Sequence, residues 1–289
     1  MAISIAPRET GFGVRITGID LSQELAADEV AVLRRALDDY VVAIFPDQTL
    51  DDEEQLRFSA YFGPIETSWR QMRKEMHTLV RNQAVSSVGN VGENGEVIAE
   101  TDMKRIMQRG NQLWHTDSSY RAPSARYTML WAQIVPEEGG TTQFADMRAA
   151  YDALPEAWKE DIARLEAEHS LDRTFKLAGS PGLSVEEHEL LPPIHHPLVR
   201  RHEDSGRKSL YIGSHASHIA TWPLKEGREL LARLTEFATQ PQFVYEHAWR
   251  PRDLVMWDNR SCLHRGRPFD VATSKRQLRR TTISHAPHR

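Results

Sequence analysis

The sequence predicts a mainly β protein with flanking helices, a jelly-roll sheet sandwich. Three observations carry this expectation. Many short strand signals, alternating or continuously apolar, run from the first residues to the last. The helical segments decorate these strands without the regular strand–helix alternation of a parallel sheet. No internal repeat, low-complexity tract or Ser/Gly linker divides the 289 residues, so one domain over 1–289 is expected.

The elements follow in order. Residues 13–21, from Gly13 to Leu21, alternate as an early strand. Asp28 to Tyr40 carries Val30, Leu33, Leu37 and Tyr40 at helical spacing, with Asp28 near the N-cap. Val41 to Phe45 is a short buried strand stopped by Pro46. A second helix runs from about Asp52 to Phe62, opening on an acidic turn and ending at Gly63-Pro64. Ala84 to Ile98 reads as a hairpin turning at Asn94-Gly95. Glu100 to Gln112 is polar and reads as irregular, and an active-site cover is expected over about 67–112.

Tyr127 to Val135 is a strong strand closed by Pro136 and Gly139-Gly140. Asp146–Leu154 and Pro155–Ala167 read as helices, and 174–197, rich in Pro, Gly and Glu, as an excursion outside the core with His195-His196 in a loop. Leu198–His202 and Ser209–Ile212 pair across the turn at 204–207, and Leu224–Gln240 is an amphipathic helix. Phe243–His247, Asp253–Asp258 and Arg279–Ser284 supply the closing strands.

Composition narrows the function classes. The formal charge of −5 and the lack of a long basic run give no nucleic-acid footprint, so no nucleic-acid partner is expected. The apolar runs are far shorter than a membrane span, and residues 1–8 lack the basic start and apolar stretch of a signal peptide. Cys262 is the only cysteine, which excludes an intramolecular disulfide and fits a reducing compartment. A cytoplasmic protein with no membrane partner is the expectation. A homo-oligomer is also expected, since the Leu224–Gln240 helix would serve an interface as well as a core.

The chemistry concentrates in Trp114-His115-Thr116-Asp117 and in a late histidine, His264, within Trp257-Asp258-Asn259-Arg260-Ser261-Cys262-Leu263-His264. Residues two apart on a strand share a face, so His115 and Asp117 would reach one metal ion. His264, at a distant strand edge, would close the set. Two imidazoles and a carboxylate, leaving coordination positions open, suit a non-haem Fe(II) oxygenase. His-x-Asp alone is weak: with 13 histidines, chance supplies about one. A second instance, His202-Glu203-Asp204, runs into a turn and reads as solvated hairpin polarity.

His215 and His218 have a His-x-x-His spacing that would hold zinc on a helical turn, but no cysteine or carboxylate completes a set nearby. His215 fits the lining of a substrate pocket, or surface polarity, equally well. Trp114 and Trp257 read as core. Lys275-Arg276-Gln277-Leu278-Arg279-Arg280 offers guanidinium forks for carboxylates, with Arg276 and Arg280 two strand periods apart on one face.

Longer segments carry a resemblance: 111–119 (NQLWHTDSS), 144–155 (FADMRAAYDALP), 211–218 (YIGSHASH) and 254–260 (LVMWDNR). From Gly18 to the final arginines the chain resembles the taurine / 2,4-dichlorophenoxyacetate dioxygenase family, most closely its aryloxyalkanoate branch. The resemblance implies a double-stranded β-helix (jelly roll, cupin-like). It implies Fe(II) held by His115, Asp117 and His264, with 2-oxoglutarate as co-substrate, O2 as oxidant and ascorbate as a support of activity. Thr142 and Arg276 would bind the carboxylates of 2-oxoglutarate.

Arg280, with His215 as a further contact, would meet a small-molecule carboxylate substrate. Family spacing would put the co-substrate cation at Lys275. The register of 275–280 and the bidentate fork favour Arg276. The expected reaction is hydroxylation of the carbon next to the ether oxygen of an aryloxyalkanoate, giving a phenol, glyoxylate or a related 2-oxo acid, succinate and CO2. The same reaction on taurine, another sulfonate or an alkyl sulfate is the nearest alternative. A non-catalytic jelly roll that binds metal and 2-oxoglutarate is the alternative of a different class.

Overall fold

The computed structural model describes residues 2–67, 84–92, 94–99 and 103–285. Its first part contains β1 (Ser4–Pro7), β2 (Val14–Thr17), α1 (Ala27–Tyr40), β3 (Val42–Phe45), α2 (Asp52–Ala60), β4 (Ser86–Gly89) and α3 (Met103–Asn111). The middle contains β5 (Ala125–Ile134), β6 (Thr142–Asp146), α4 (Met147–Asp152), α5 (Glu156–Ile162), β7 (Glu166–His169), α6 (Leu171–Leu177) and α7 (Val185–Leu190). There follow β8 (Ile194–Pro197), β9 (Val199–Arg201), β10 (Lys208–Leu210), β11 (Ala216–Ile219) and α8 (Leu224–Ala238). The chain closes with β12 (Val244–His247), β13 (Leu254–Asp258), β14 (Cys262–Gly266) and β15 (Gln277–Ser284).

Seven strands make the larger sheet, in the order β1-β2-β3-β13-β5-β15-β4. Three smaller sheets, β12-β6-β14, β11-β7-β8 and β10-β9, complete the β framework. The strand period sorts side chains to two faces of the larger sheet. On β13, Leu254 and Met256 pack outward with Leu33, Leu37, Phe58 and Phe62 from α1, α2 and the residues after it. Val255 and Trp257 point inward, to a cluster with Phe144, Tyr245 and Cys262 of the smaller β12-β6-β14 sheet. A third apolar layer, including Ala145, Leu263, Leu231 and Leu234, packs α8 on the far side of that sheet. Each such large side chain, fully buried, contributes roughly 1.5–3 kcal/mol relative to exposure.

This is the jelly-roll class that the strand signals predicted, with helices on the outside. Local signals place the helices: Asp51 caps α2, accepting the Glu54 N–H while Glu54 reaches back to the Asp51 N–H. Several local expectations are corrected. The segment 103–111 is the helix α3 and not irregular chain, while 68–83 of the expected cover lies outside the described residues. The helix expected over 155–167 stops at Ile162, because Glu166–His169 pairs as β7 with both β8 and β11.

His195-His196 lies on β8, not in a loop. The excursion at 174–197 is only partly outside the core: Phe175 and Leu191 are buried against Tyr120 and Leu171. His202 is also misread as a solvated residue. It is buried, its Nε2 lies 2.9 Å from Asp258 Oδ2, and its Nδ1 accepts the Ser205 N–H.

Candidate metal and co-substrate site

His115 and His264 face each other across an isolated antiparallel bridge. The His115 N–H donates to His264 O at 3.0 Å, and the His264 N–H donates to His115 O at 2.8 Å. Residues paired this way project to the same side, so the two rings lie together, with centroids 4.1 Å apart. Asp117, two residues on from His115, shares that side. Its Oδ1 is 3.9 Å from His115 Nε2 and its Oδ2 is 3.6 Å from His264 Nε2. One ligand atom from each of the three residues lies within 4.8 Å of the others. His115 Nδ1 is 2.7 Å from Leu113 O, which fixes that nitrogen as the donor and turns Nε2 toward the cluster.

The electrostatics suit a cation. Burial pushes the His115 imidazole down and His264 well below its ordinary value, so both rings are neutral and free to ligate. Burial alone would raise Asp117, yet its carboxyl lies well below the ordinary range. His264, Arg280, His115 and the Thr128 hydroxyl outweigh the desolvation. A neutral–neutral–anionic set of N and O donors fits a divalent metal of the imidazole-and-carboxylate class.

Two lobes of a cleft meet at this triad, and His115, Asp117, Asn111 and Arg280 line both. The first lobe holds Arg276, Thr142, Leu130, Trp257 and Phe269. Arg276 is buried, its Nε donates to Gly140 O at 3.2 Å, and no carboxylate partner faces it among the described residues. Burial of this lone cation pushes its pKa down to about 10. The backbone packs closely beside it: a Cβ on Gly89 would come within 1.8 Å of Arg276 O.

Thr142, at the start of β6, is buried in the same lobe, and its Oγ1 accepts the Trp249 Nε1–H at 2.9 Å. Lys275 instead points out to Glu96, at 3.4 Å. An unpaired buried guanidinium beside a hydroxyl can receive a carboxylate.

The second lobe is lined by Arg280, His215, Tyr120, Leu171, Phe175 and Glu66, among others. Arg280 Nη1 donates to Asp117 Oδ1 at 3.4 Å. His215 is buried with Nδ1 2.7 Å from Thr174 Oγ1, and burial pushes its pKa down to about 3, so it enters the lobe uncharged. Leu171, Phe175 and Tyr120 give this lobe an apolar wall opposite its arginine. Arg276, Leu278, Arg280 and Thr282 do share the inward face of the last strand and its approach, as their spacing predicts.

Sequence reasoning missed other parts. Trp257 is core, as expected, but it also lines the first lobe with its ring 4.6 Å from that of His264. Thr128 donates to Asp117 Oδ2 at 2.8 Å. Its signal was available: a hydroxyl residue at an inward position beside the apolar run Met129–Ala132 of a buried strand.

Comparison with known proteins agrees with this geometry. Residues 4–282 match the family described as "Taurine catabolism dioxygenase TauD, TfdA family". The chain is 42% identical over 283 residues to the alpha-ketoglutarate-dependent 2,4-dichlorophenoxyacetate dioxygenase of Cupriavidus pinatubonensis, covering 98% of each. It is 36% identical to the (S)-phenoxypropionate/alpha-ketoglutarate-dioxygenase of Sphingobium herbicidovorans, over 99% of this chain and 96% of that one. The crystal structure of AAD-2 in complex with Mn(II) and N-oxalylglycine superimposes with a TM-score of 0.91, 39% identity, and coverage of 99% and 98%.

Proposed function

The chain belongs to the taurine catabolism dioxygenase TauD, TfdA family, and on that footing we propose that it is an Fe(II)- and 2-oxoglutarate-dependent dioxygenase of aryloxyalkanoates. His115, Asp117 and His264 would hold the metal, leaving positions open for the co-substrate and O2. Bound Fe(II), with 2-oxoglutarate and O2, supplies the oxidation that places a hydroxyl on an unactivated carbon while 2-oxoglutarate leaves as succinate and CO2. Ascorbate supports activity in this reading by keeping the metal ferrous.

The protein's own work is to bind, orient and exclude water. Arg276 takes the far carboxylate of 2-oxoglutarate in a fork, with Thr142 beside it in the buried lobe. N-oxalylglycine, which AAD-2 holds, has the same two ends: a 2-oxo acid and a distant carboxylate. Arg280 anchors the substrate carboxylate, and the wall of Tyr120, Leu171 and Phe175 takes the aromatic ring. That places the carbon between the carboxylate and the ether oxygen next to the triad, and such positioning is worth far more than contact alone. Hydroxylated there, the substrate is a hemiacetal and falls apart to a phenol and glyoxylate or a related 2-oxo acid. His215, neutral, offers its other ring nitrogen to the substrate.

One observation carries the proposal: the His–Asp–His cluster lies where two lobes meet, Arg276 is confined to one lobe, and Arg280 at the junction also reaches the other, which Tyr120, Leu171 and Phe175 wall. The test supplies Fe(II), 2-oxoglutarate, ascorbate and a phenoxyacetate, and measures phenol and succinate together. Equal yields are expected. Succinate formed with taurine or an alkyl sulfate but no phenol from the aryloxy acid would move the substrate class. Binding of 2-oxoglutarate with no succinate from any of them would leave a non-catalytic binding protein.

A further inference from the structure

We propose that Asn259 and Thr128 form a one-directional hydrogen-bond relay that positions Asp117 for metal binding. The relay rests on the triad reading above, and its direction follows from donor and acceptor chemistry. Asn259 is buried in the turn between β13 and β14. Its Oδ1 lies 3.1 Å from the Asp117 backbone nitrogen and 3.0 Å from Trp257 Nε1. Both of these groups can only donate, so the amide must present its oxygen to them. Its Nδ2 therefore points the other way, to Thr128 Oγ1 at 2.9 Å.

Thr128 Oγ1 thus receives a proton from Asn259, and its own O–H is left to donate. The group in front of it is Asp117 Oδ2, at 2.8 Å, which as a carboxylate can only accept. Asn259 therefore holds Asp117 twice, by the main chain directly and by the carboxylate through Thr128. A further bond ties the segment between the two metal-side residues: Thr116 Oγ1 donates to Asn259 O at 2.7 Å.

The arrangement matters more because no outer acceptor supports His264 among the described residues. A metal-bound imidazole ordinarily donates its second N–H to a fixed acceptor. His264 Nδ1 is buried with no partner among the described residues. The geometry of the cluster thus depends on His115, held by Leu113 O, and on Asp117, held by the relay. Thr128 and Asn259 are positioning residues, since neither lines either lobe and both act through Asp117.

The experiment measures Mn(II) binding by the signal of the free ion, with the thermal unfolding of each metal-free variant recorded beside it. Thr128→Val, nearly isosteric but without the hydroxyl, should weaken Mn(II) binding about 10–100-fold. Thr128→Ser should restore it to within a few-fold, which a role in filling space would not do. Asn259→Ala removes both arms and should lose at least as much. His115→Ala serves as the reference for the triad and should abolish binding. Wild-type Mn(II) affinity in Thr128→Val, with His115→Ala impaired, overturns the relay alone. Wild-type affinity in both overturns the triad and the relay with it.

Discussion

The Arg280 guanidinium touches the Asp117 carboxylate, Nη1 to Oδ1 at 3.4 Å, while it also lines both lobes of the cleft. It therefore faces Asp117, the proposed metal ligand, and the proposed space for a substrate acid at once. Arg280→Lys keeps the charge but loses the fork. The KM for a phenoxyacetate should rise about tenfold or more, since a charged hydrogen bond contributes roughly 1.5–3 kcal/mol. The KM for 2-oxoglutarate should change only a few-fold. Steady-state kinetics with each compound varied in turn checks this, and equal effects on both would misplace Arg280.

Arg276 is a buried cation with no carboxylate partner among the described residues, which costs stability until an anion arrives. Arg276→Met should raise the Tm of the ligand-free protein slightly. It should also erase the Tm increase that millimolar 2-oxoglutarate gives the parent, an increase set by mass action. A thermal-shift titration reads both signs together.

Asp258 is fully buried between Arg260, at 2.6 Å, and His202, at 2.9 Å. Burial opposes its ionisation, but Arg260 and His202 overcome that and hold its carboxyl below the ordinary value of 3.8. A depressed carboxyl stabilises the fold above the unfolded-state value, and this contribution is lost as pH falls from 3.8 toward the lower folded-state value. Asp258→Asn should therefore cost roughly 3–5 kcal/mol at pH 7, because Arg260 loses its nearest carboxylate and keeps the more distant Asp204, at 3.3 Å, and Asp38, at 3.9 Å. The gap between variant and parent should narrow below pH 3.8. Urea unfolding at several pH values measures it.

Phe175 closes the apolar wall of the Arg280 lobe. Phe175→Ala should lower kcat/KM for an aryloxyacetate by about tenfold or more, from lost apolar burial of the ring. Uncoupled succinate formation without an aryl substrate should remain. Comparing succinate with phenol release separates the two.

Much of this was legible in the sequence, for local reasons. The centres of the β5 and β13 runs, Met129–Ala132 and Leu254–Trp257, are apolar on both faces, and each is packed on both sides. The shared face of Arg276 and Arg280 follows from the strand period, whereas His115 and Asp117 converge without the expected strand, His115 on an isolated bridge and Asp117 in the turn after it. What was not legible depends on partners distant in sequence. His202 adjoins a turn, and only the fold brings it to Asp258, 56 residues away. Likewise β7 has no strong strand signal of its own, and it forms because β8 and β11 flank it. Asn259 reads as an ordinary turn residue until the backbone of Asp117 arrives against it.

The most direct test is the anaerobic visible absorbance of the Fe(II)-loaded protein, first with 2-oxoglutarate and then with a phenoxyacetate. The account predicts a weak charge-transfer band on adding 2-oxoglutarate, absent in His115→Ala, and a shift of that band when the aryloxy acid is added. Bound iron with no band would contradict the co-substrate role of the Arg276 lobe. A band unmoved by any aryloxy acid would contradict the substrate role of the Arg280 lobe.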